Sequence, residues 1–414
     1  MDQIVQAHVA ADQFSGAVLV ARDGKVLLDK GYSEADREWN IPNTPATRFR
    51  LASISKQFTA AAVLLLAAHN QLNLDAPLKT YLPDAPASWD QVTVFELLNH
   101  SSGIPDYLSA PDYAATQALP ATPQQLLARF RDRPLDFPPG QGWTYSNSGY
   151  VLLGLLIEKI SGQSYADFLQ QNIFDPLGMR DTGYDSGATV VPRRASGYRL
   201  DNGALVPAQY RHQSTLYAAG GLYSTSGDLL RWEQALYGGR LLPPAWLSKM
   251  LTPNGQQAGL GLMVLPLEDH VVYAHGGGVD GVRTMMSYDP AEKTVVIVLS
   301  NQQDADVVGL ASELAALARG ETVVLPSERK GFRASGEALA KYPGTYEFAP
   351  GFGIVFTLED GKLFGQATGQ QKYPTTAEAP GVFYFEVNGA EVEFFGDALV
   401  LHQNGQYFRA KRKP

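Results

Sequence analysis

Apolar residues recur with two different periods along the chain, and each period predicts a different kind of element. Short apolar runs at 16–21 and 25–31 flank the turn dipeptide Asp23-Gly24, which predicts a β-hairpin near the N-terminus. Three more strand-like runs occur much later in the chain, at 271–275, 282–288 and 294–299. Strands are therefore expected at both ends of the first three hundred or so residues.

Segments with helical spacing separate the two groups of strands. The most apolar of them is 51–68, which is rich in Ala and Leu and predicts a buried helix. The other predicted helices lie at 2–13, 94–98, 150–160, 164–173, from Thr225-Ser226-Gly227-Asp228 onward, and at 307–318. Strands at both ends with helices between them predict an α+β fold, in which a mainly antiparallel sheet is flanked by helices.

The pattern changes after about residue 320. Proline, glycine and a charged run predict a linker at 326–340, which separates a domain at 1–325 from a second one at 341–414. In the second domain, short strand-like runs are separated by turn dipeptides, namely Asp360-Gly361, Asn388-Gly389, Gly396-Asp397 and Asn404-Gly405. Regular turns between short strands predict a small all-β, barrel-like domain.

Composition narrows the range of partners and chemistries. The 414 residues carry a formal net charge of −9, which argues against nucleic acid and anionic membranes as main partners. The absence of cysteine excludes disulfides, thiolate catalysis and cysteine-bound zinc. No stretch reaches the roughly 18 apolar residues of a membrane span, and no signal peptide is visible. The compartment stays open: periplasmic or secreted if a signal peptide was removed, otherwise cytoplasmic.

The first candidate for chemistry is Ser53, at the N-terminal end of the apolar helix, with Lys56 three residues later. Residues i and i+3 share one face of a helix, so the hydroxyl and the amine can meet. The helix terminus favours negative charge on Ser53, and burial of the amine lowers its pKa. Together these features describe an activated serine nucleophile. The alternative is a helix-capping serine with a lysine that reaches solvent.

A second candidate segment contains Tyr145 and Asn147, just before the helix at 150–160. A tyrosine beside a lysine is a candidate proton shuttle, because the positive charge favours the phenolate. Asn147 is placed to hydrogen-bond both the lysine and a substrate carbonyl. The alternative is an ordinary start of a helix, with Ser146 or Asn147 as its cap.

A third candidate is His275-Gly276-Gly277-Gly278 at the end of a predicted strand. Glycines let a ligand approach the backbone closely and leave N–H groups free to bind it. One such N–H group, together with that of Ser53, would form an oxyanion hole. The alternative is a flexible strand end with a histidine that faces solvent.

Taken in this order, the three segments resemble the Ser-x-x-Lys, Tyr-x-Asn and Lys/His-Thr/Gly-Gly motifs of the penicillin-recognising serine hydrolases. The matching residues are Ser53-x-x-Lys56, Tyr145-Ser146-Asn147 and His275-Gly276-Gly277. The resemblance is to the class C β-lactamase-like branch (peptidase family S12), which includes D-aminopeptidases, D,D-carboxypeptidases and esterases. It covers about residues 10–320, and 341–414 resemble the lipocalin-like domain of some members.

The resemblance implies an enzyme that needs neither cofactor nor metal. Ser53 would form the acyl-enzyme, and Lys56 and Tyr145 would share the proton transfers, with the first base left open. The backbone N–H groups of Ser53 and Gly278 would hold the oxyanion. The residues implied in substrate binding are Asn147, His275, Gly276 and Gly277.

The expected function is hydrolysis of amides or esters, in particular of small peptides with D-residues or of small esters. A homo-oligomer is compatible with this function. A β-lactamase or D,D-carboxypeptidase is the alternative. The β-lactamase activity is disfavoured as the main role, because many β-lactamases have a lysine at the position of His275, which is mostly neutral at pH 7. A binding protein that has lost catalysis is the alternative of another class. The sequence contains no Gly-x-Ser-x-Gly motif of an α/β-hydrolase and no His-Glu-x-x-His motif of a metallohydrolase. His100 is expected to cap or brace a turn.

Overall fold

A computed structural model of the chain describes residues 1–201, 203–267, 270–323, 334–349, 352–385, 390–403 and 406–413. The chain divides into two units, Met1–Glu321 and Thr322–Pro414. Much of the predicted linker at 326–340 lies outside the described residues, as do the turn dipeptides Asn388-Gly389 and Asn404-Gly405. Among the described helices, none is long and apolar enough to cross a bilayer.

The helices are distributed over both units, although all but the last belong to the first. They are α1 (Asp2–Ala10), α2 (Ser55–Ala68), α3 (Val94–Leu98), α4 (Tyr113–Thr116), α5 (Pro123–Ala128), α6 (Asn147–Ser161), α7 (Tyr165–Leu169), α8 (Asp175–Leu177), α9 (Tyr217–Gly220), α10 (Ser226–Tyr237), α11 (Pro244–Leu251), α12 (Val307–Arg319) and α13 (Gly336–Leu339). Short 3-10 turns lie at Ala52–Ile54, Leu78–Thr80, Ala87–Trp89, Tyr107–Ser109 and Gln213–Thr215, and a π-helical turn at Gln170–Phe174 joins α7 to α8.

The strands fall into one large sheet in each unit and several short pairings. They are β1 (Gly16–Arg22), β2 (Lys25–Tyr32), β3 (Glu34–Asp36), β4 (Ile41–Pro42), β5 (Phe49–Arg50), β6 (Gly183–Tyr184), β7 (Tyr198–Asp201), β8 (Ala204–Pro207), β9 (Leu222–Ser224), β10 (Met263–Leu267), β11 (His270–Val279), β12 (Val282–Asp289), β13 (Thr294–Ser300), β14 (Gly344–Ala349), β15 (Phe352–Glu359), β16 (Lys362–Ala367), β17 (Lys372–Pro374), β18 (Thr376–Ala379), β19 (Val382–Phe385), β20 (Ala390–Phe395), β21 (Ala398–Gln403) and β22 (Gln406–Arg412).

The two ends of the first unit meet in one antiparallel sheet of order β10-β11-β12-β13-β1-β2. β1 and β13 pair along their whole length, from Gly16 opposite Ser300 to Arg22 opposite Thr294. Both strands are buried on both faces, which explains why their sequences are apolar runs. Helices α10 and α12 pack against them. The predicted α+β fold is therefore confirmed.

The segment 51–68 departs from a single helix at its start. Ala52–Ile54 forms a 3-10 turn, and the α-helix proper begins at Ser55. The reason lies in the backbone of Leu51, whose N–H donates to Leu222 O while its carbonyl accepts from Thr284 Oγ1. These two bonds hold Leu51 in the sheet region, so the chain enters the helix only after a tighter turn that contains Ser53.

The second unit is built from one nine-stranded antiparallel sheet, of order β17-β16-β15-β14-β22-β21-β20-β19-β18. Its two edge strands, β17 and β18, are separated in sequence by Thr375 alone, so the sheet curls until it is nearly closed. Aromatic side chains, including Tyr346, Phe356 and Phe383, fill its buried interior. The prediction of a small all-β, barrel-like domain is confirmed.

Close packing between α6 and α9 depends on Gly154. A Cβ atom at this position would collide with the Tyr217 ring and lie 2.6 Å from Ala218 Cβ. Because glycine has no side chain, α6 lies directly against α9, and α2 packs against both. This contact fixes the position of the backbone carbonyls of α9 relative to α2.

We expect Gly154→Leu to lower the free energy of unfolding by about 1–3 kcal/mol, because the added atoms have no space between the helices. Denaturant titration would measure this change. Lys159→Ala, at an exposed position on the same helix, is the control and should leave the unfolding midpoint in place. Equal effects from the two variants would contradict the packing argument.

Candidate active site

The three predicted segments meet around the amine of Lys56. Lys56 Nζ donates to Ser53 Oγ at 3.2 Å, to Asn147 Oδ1 at 2.8 Å and to the carbonyl oxygen of Ala219 at 2.7 Å. An ammonium group has three N–H donors, and each has an acceptor here. The i, i+3 spacing of Ser53 and Lys56 therefore places the hydroxyl and the amine in contact, although the serine lies in a 3-10 turn.

Lys56 is fully buried, and burial changes its acid–base behaviour. Desolvation lowers the pKa of Lys56 to about 7, although the nearby carboxylate of Asp106 acts in the opposite direction. The rings of Tyr145 and Tyr150 lie 4.8 and 5.4 Å from Nζ and complete its enclosure. Near pH 7 a large fraction of Lys56 is thus the free amine, which is the form that accepts a proton.

Tyr145 hydrogen-bonds with the Ser53 hydroxyl, and this bond by itself lowers the pKa of the phenol. Burial has the larger effect, however, and raises the pKa of Tyr145 well above its ordinary value. Burial therefore disfavours the phenolate that a neighbouring lysine was expected to favour. Tyr145 is a neutral phenol near pH 7, and Lys56 is the group that is poised to take a proton.

Asn147 is held in one orientation by a carboxylate that the sequence analysis did not identify. Asp106 Oδ2 accepts from Asn147 Nδ2 at 2.8 Å and from the Asn147 backbone N–H at 3.0 Å. The amide nitrogen therefore faces Asp106, and the amide oxygen faces Lys56. Asp106 is itself fixed, because its other oxygen accepts from the Leu108 N–H.

No sequence motif indicates a role for Asp106 in the site, because it lies 41 residues from Asn147 and shares no motif with it. Its role depends on the loop before the 3-10 turn Tyr107–Ser109, which returns to the start of α6. A second hydrogen bond holds this loop against α6, since the Tyr107 N–H donates to Ser148 Oγ at 2.8 Å.

His275 lies on β11 and borders Tyr145, with a ring separation of 6.3 Å. Burial, and then the charge of Lys56, lowers the pKa of His275 to about 4, so the ring is neutral near pH 7. Its Nδ1 lies 2.6 Å from the carbonyl oxygen of Gly276. A carbonyl only accepts, so Nδ1 carries the proton and Nε2 is left as an acceptor.

His100 braces a turn, as its place in the sequence suggested, and it also supports Tyr145. Its Nδ1 accepts from the Ser146 N–H at 3.1 Å, and its ring lies 4.5 Å from the ring of Tyr145. Burial lowers the pKa of His100 well below its ordinary value, and the charge of Lys56 adds to this effect. A neutral imidazole therefore forms the back wall behind Tyr145.

The glycine strand lies directly against the turn that carries Ser53. A Cβ atom at Gly277 would collide with Leu51 O and Thr284 Oγ1 and lie 3.2 Å from Ala52 Cβ. Only glycine allows this approach. Among the described residues, β11 pairs with β10 no further than Ala274, so the backbone from His275 to Val279 has no described strand partner on that side. The two predicted oxyanion donors, Ser53 and Gly278, lie on the two elements that meet here.

The backbone just before Ser53 is strained. Ala52 has φ +48°, a left-handed conformation that residues with a side chain rarely adopt. Such a conformation persists only when its surroundings impose it, and it occurs often at functional sites. Here the hydrogen bonds of Leu51 on both sides of the peptide impose it.

Among the described residues, no group of His, Asp and Glu side chains is arranged to hold a metal ion.

The chain is similar to known proteins over most of its length. The sequence profile of the Beta-lactamase family matches residues 1–320. The chain is 29% identical to Penicillin-binding protein 4* of Bacillus subtilis (strain 168), over 97% of this chain and 95% of that protein.

Two solved structures are also similar. The octameric penicillin-binding protein homologue from Pyrococcus abyssi matches with a TM-score of 0.71 and 27% identity, over 99% of this chain and 98% of that one. The D-amino acid amidase from Ochrobactrum anthropi SV3, solved in complex with D-phenylalanine, matches with a TM-score of 0.68 and 27% identity, over 77% and 97% of the two chains.

The contacts of Lys56 lead to a prediction about its pKa. We expect Asp106→Asn to lower the pKa of Lys56 below about 7, because the carboxylate that stabilises the ammonium is removed while burial is unchanged. NMR titration with lysine labelled at Cε would measure it. Asp112→Asn, which alters a largely exposed carboxylate, should leave the pKa in place. An unchanged or higher pKa in Asp106→Asn would contradict the assignment.

Proposed function

The chain belongs to the β-lactamase family of serine hydrolases, and from this we propose that it cleaves amide or ester bonds through an acyl-enzyme on Ser53. The observation that carries the proposal is the buried amine of Lys56, 3.2 Å from Ser53 Oγ and with a pKa of about 7. A serine hydroxyl is a weak nucleophile until an adjacent base takes its proton, and this amine is such a base.

In the proposed reaction, Lys56 takes the Ser53 proton as Oγ attacks the substrate carbonyl. The N–H groups of Ser53 and Gly278 stabilise the negative charge on the carbonyl oxygen. The C–N bond then breaks as Tyr145 donates its proton to the departing nitrogen, and Lys56 returns a proton to the phenolate. Water subsequently attacks the acyl-enzyme with Lys56 again as base, and this restores Ser53.

We propose amides and small peptides of D-amino acids as the substrate class. The D-amino acid amidase that resembles this chain supports the assignment. His275 also supports it, because its unprotonated Nε2 accepts a hydrogen bond from an N–H group and offers no fixed charge to the carboxylate of a β-lactam. The octameric Pyrococcus abyssi protein supports the prediction of a homo-oligomer, which stays a prediction here.

Covalent labelling tests the nucleophile and the base together. We expect a fluorophosphonate to modify Ser53, with a rate that rises as the pH increases through about 7, because only neutral Lys56 can accept the proton. Mass spectrometry of the peptide that contains Ser53 gives the site, and stopped samples give the rate. Ser53→Ala should take no label, whereas Ser248→Ala, at an exposed position on α11, should react normally. A label elsewhere, or a rate controlled by a group that titrates near pH 4, would contradict the proposal.

Comparison of substrates tests the proposed class. We expect hydrolysis of D-phenylalanine amide to exceed that of L-phenylalanine amide and of nitrocefin by at least about tenfold in kcat/KM, a difference of roughly 1.4 kcal/mol in transition-state binding. Release of ammonia measures the amides and absorbance measures nitrocefin, with Ser53→Ala as the blank. Faster turnover of nitrocefin would instead make the protein a β-lactamase.

A further inference from the structure

Glu233 lies on the face of α10 that packs against the sheet. Helical spacing places it beside Leu229, Trp232 and Leu236, all of which are fully buried. Glu233 is buried with them at 2% exposure, and its Oε2 has no hydrogen-bond partner among the described residues. A buried carboxyl group without a partner is costly to the fold, and it therefore points to a function.

Glu233 is one of the residues that line a cavity of about 290 Å³ between α10 and the end of the sheet that carries the Asp23-Gly24 turn. The sheet and the helix supply its other walls, namely Ala21, Tyr288 and Val295 from the strands and Leu230, Gln234 and Tyr237 from α10. The volume is slightly below that of pockets which hold drug-sized ligands, so the cavity suits a small ligand.

The cavity is separate from the site around Lys56. Tyr288 lies four residues along β12 from Thr284, the residue that donates to Leu51 beside the turn of Ser53. Four residues of a strand span about 13 Å. None of the residues that we propose for catalysis lines the cavity, so a ligand bound there is distinct from the substrate.

The charges around the cavity leave one acidic group in its interior. Asp23 and Lys293 lie at the mouth, where they form an ion pair at 3.5 Å and are both more than half exposed. Inside, the rings of Tyr237 and Tyr288 stack with centroids 4.2 Å apart. Burial, and then the charge of Glu233, raises the pKa of both tyrosines, so both are neutral phenols near pH 7. The described interior thus combines one carboxyl group with aromatic and apolar surface.

We propose that this cavity binds a small quaternary ammonium ion, with its charge paired to the carboxylate of Glu233 and its methyl groups against Tyr237 and Tyr288. Aromatic rings attract such cations, and the apolar walls suit the methyl groups. A primary ammonium would need acceptors for three N–H groups and a metal ion several oxygen ligands, whereas the described interior offers the carboxyl group of Glu233 alone. This site goes beyond the proposed reaction and does not depend on it.

Ionisation of Glu233 should make binding depend on pH. Burial raises the pKa of Glu233 to about 8, so in the unbound protein the carboxyl group is largely protonated at pH 7. The titratable groups around it are Tyr237, Tyr288, the Tyr273 ring that stacks on Tyr237, and at the mouth Asp23 and Lys293. Burial raises the pKa of Tyr273 as well, so all three phenols stay neutral while Glu233 ionises. A quaternary ammonium keeps its charge throughout, and its affinity should therefore rise with pH.

Calorimetry with choline tests the site, and the control ligand is the uncharged analogue in which carbon replaces the quaternary nitrogen. At about pH 8.5 we expect the wild type to bind choline about tenfold or more tightly than the analogue, because only the cation is attracted to the carboxylate. Choline affinity should fall about tenfold or more at about pH 6.5, where Glu233 is protonated. Glu233→Gln should remove both differences. Glu337→Gln, which alters an exposed carboxylate, should leave them in place.

A second variant avoids the core. Gln234→Lys adds a positive charge at an exposed position of the cavity wall, and repulsion should weaken choline binding several-fold. Thermal unfolding checks that both variants are folded, and Glu233→Gln keeps the size of the protonated side chain. The proposal would be overturned if the wild type failed to bind choline, bound it no better than the analogue or bound it equally at both pH values. Unchanged choline binding in Glu233→Gln would overturn it as well.

Discussion

The site depends on the burial of the Lys56 amine, which none of the described carboxylates contacts directly. Removing Lys56 from water disfavours its charged form, and three neutral acceptors replace the lost hydration without restoring full basicity. The carboxylate of Asp106 raises the pKa of Lys56, and its hydrogen-bonded connection to the amine runs through the amide of Asn147. This arrangement leaves Lys56 both ordered and partly unprotonated near pH 7. A direct ion pair would order it equally well but would keep it protonated.

The scaffold is built around that amine. α2 is tied to α9 by two adjacent carbonyls, since Thr59 Oγ1 donates to Ala218 O and Lys56 donates to Ala219 O. α9 is in turn held by α6, which can approach only because Gly154 has no side chain. On the opposite side, Gly277 lets the sheet reach the turn of Ser53. Two glycines thus position the acceptors and the nucleophile from two directions, and a strained residue, Ala52, immediately precedes the nucleophile.

Hydrophobic periodicity and residue spacing predicted the features that depend on residues close together in the sequence. The hairpin at Asp23-Gly24, the central strands and the contact of Ser53 with Lys56 follow from period and spacing. Asp106 escaped the sequence analysis because its partner is 41 residues away. The contact of Ala219 with Lys56 was not predicted, because Ala219 contributes a backbone carbonyl, for which no residue type is required. The raised pKa of Tyr145 was missed because burial, which outweighs the hydrogen bond with Ser53, is visible only in the folded protein.

The distribution of charge connects the geometry with the choice of substrate. Two histidines near Lys56 are neutral, since burial and the amine both disfavour a second positive charge in the same space. A fixed cation at the position of His275 would lower the pKa of Lys56 further through repulsion. The neutral ring of His275 spares Lys56 that repulsion and leaves Nε2 as a hydrogen-bond acceptor. A neutral histidine in the motif is therefore compatible with a lysine that is partly unprotonated near pH 7.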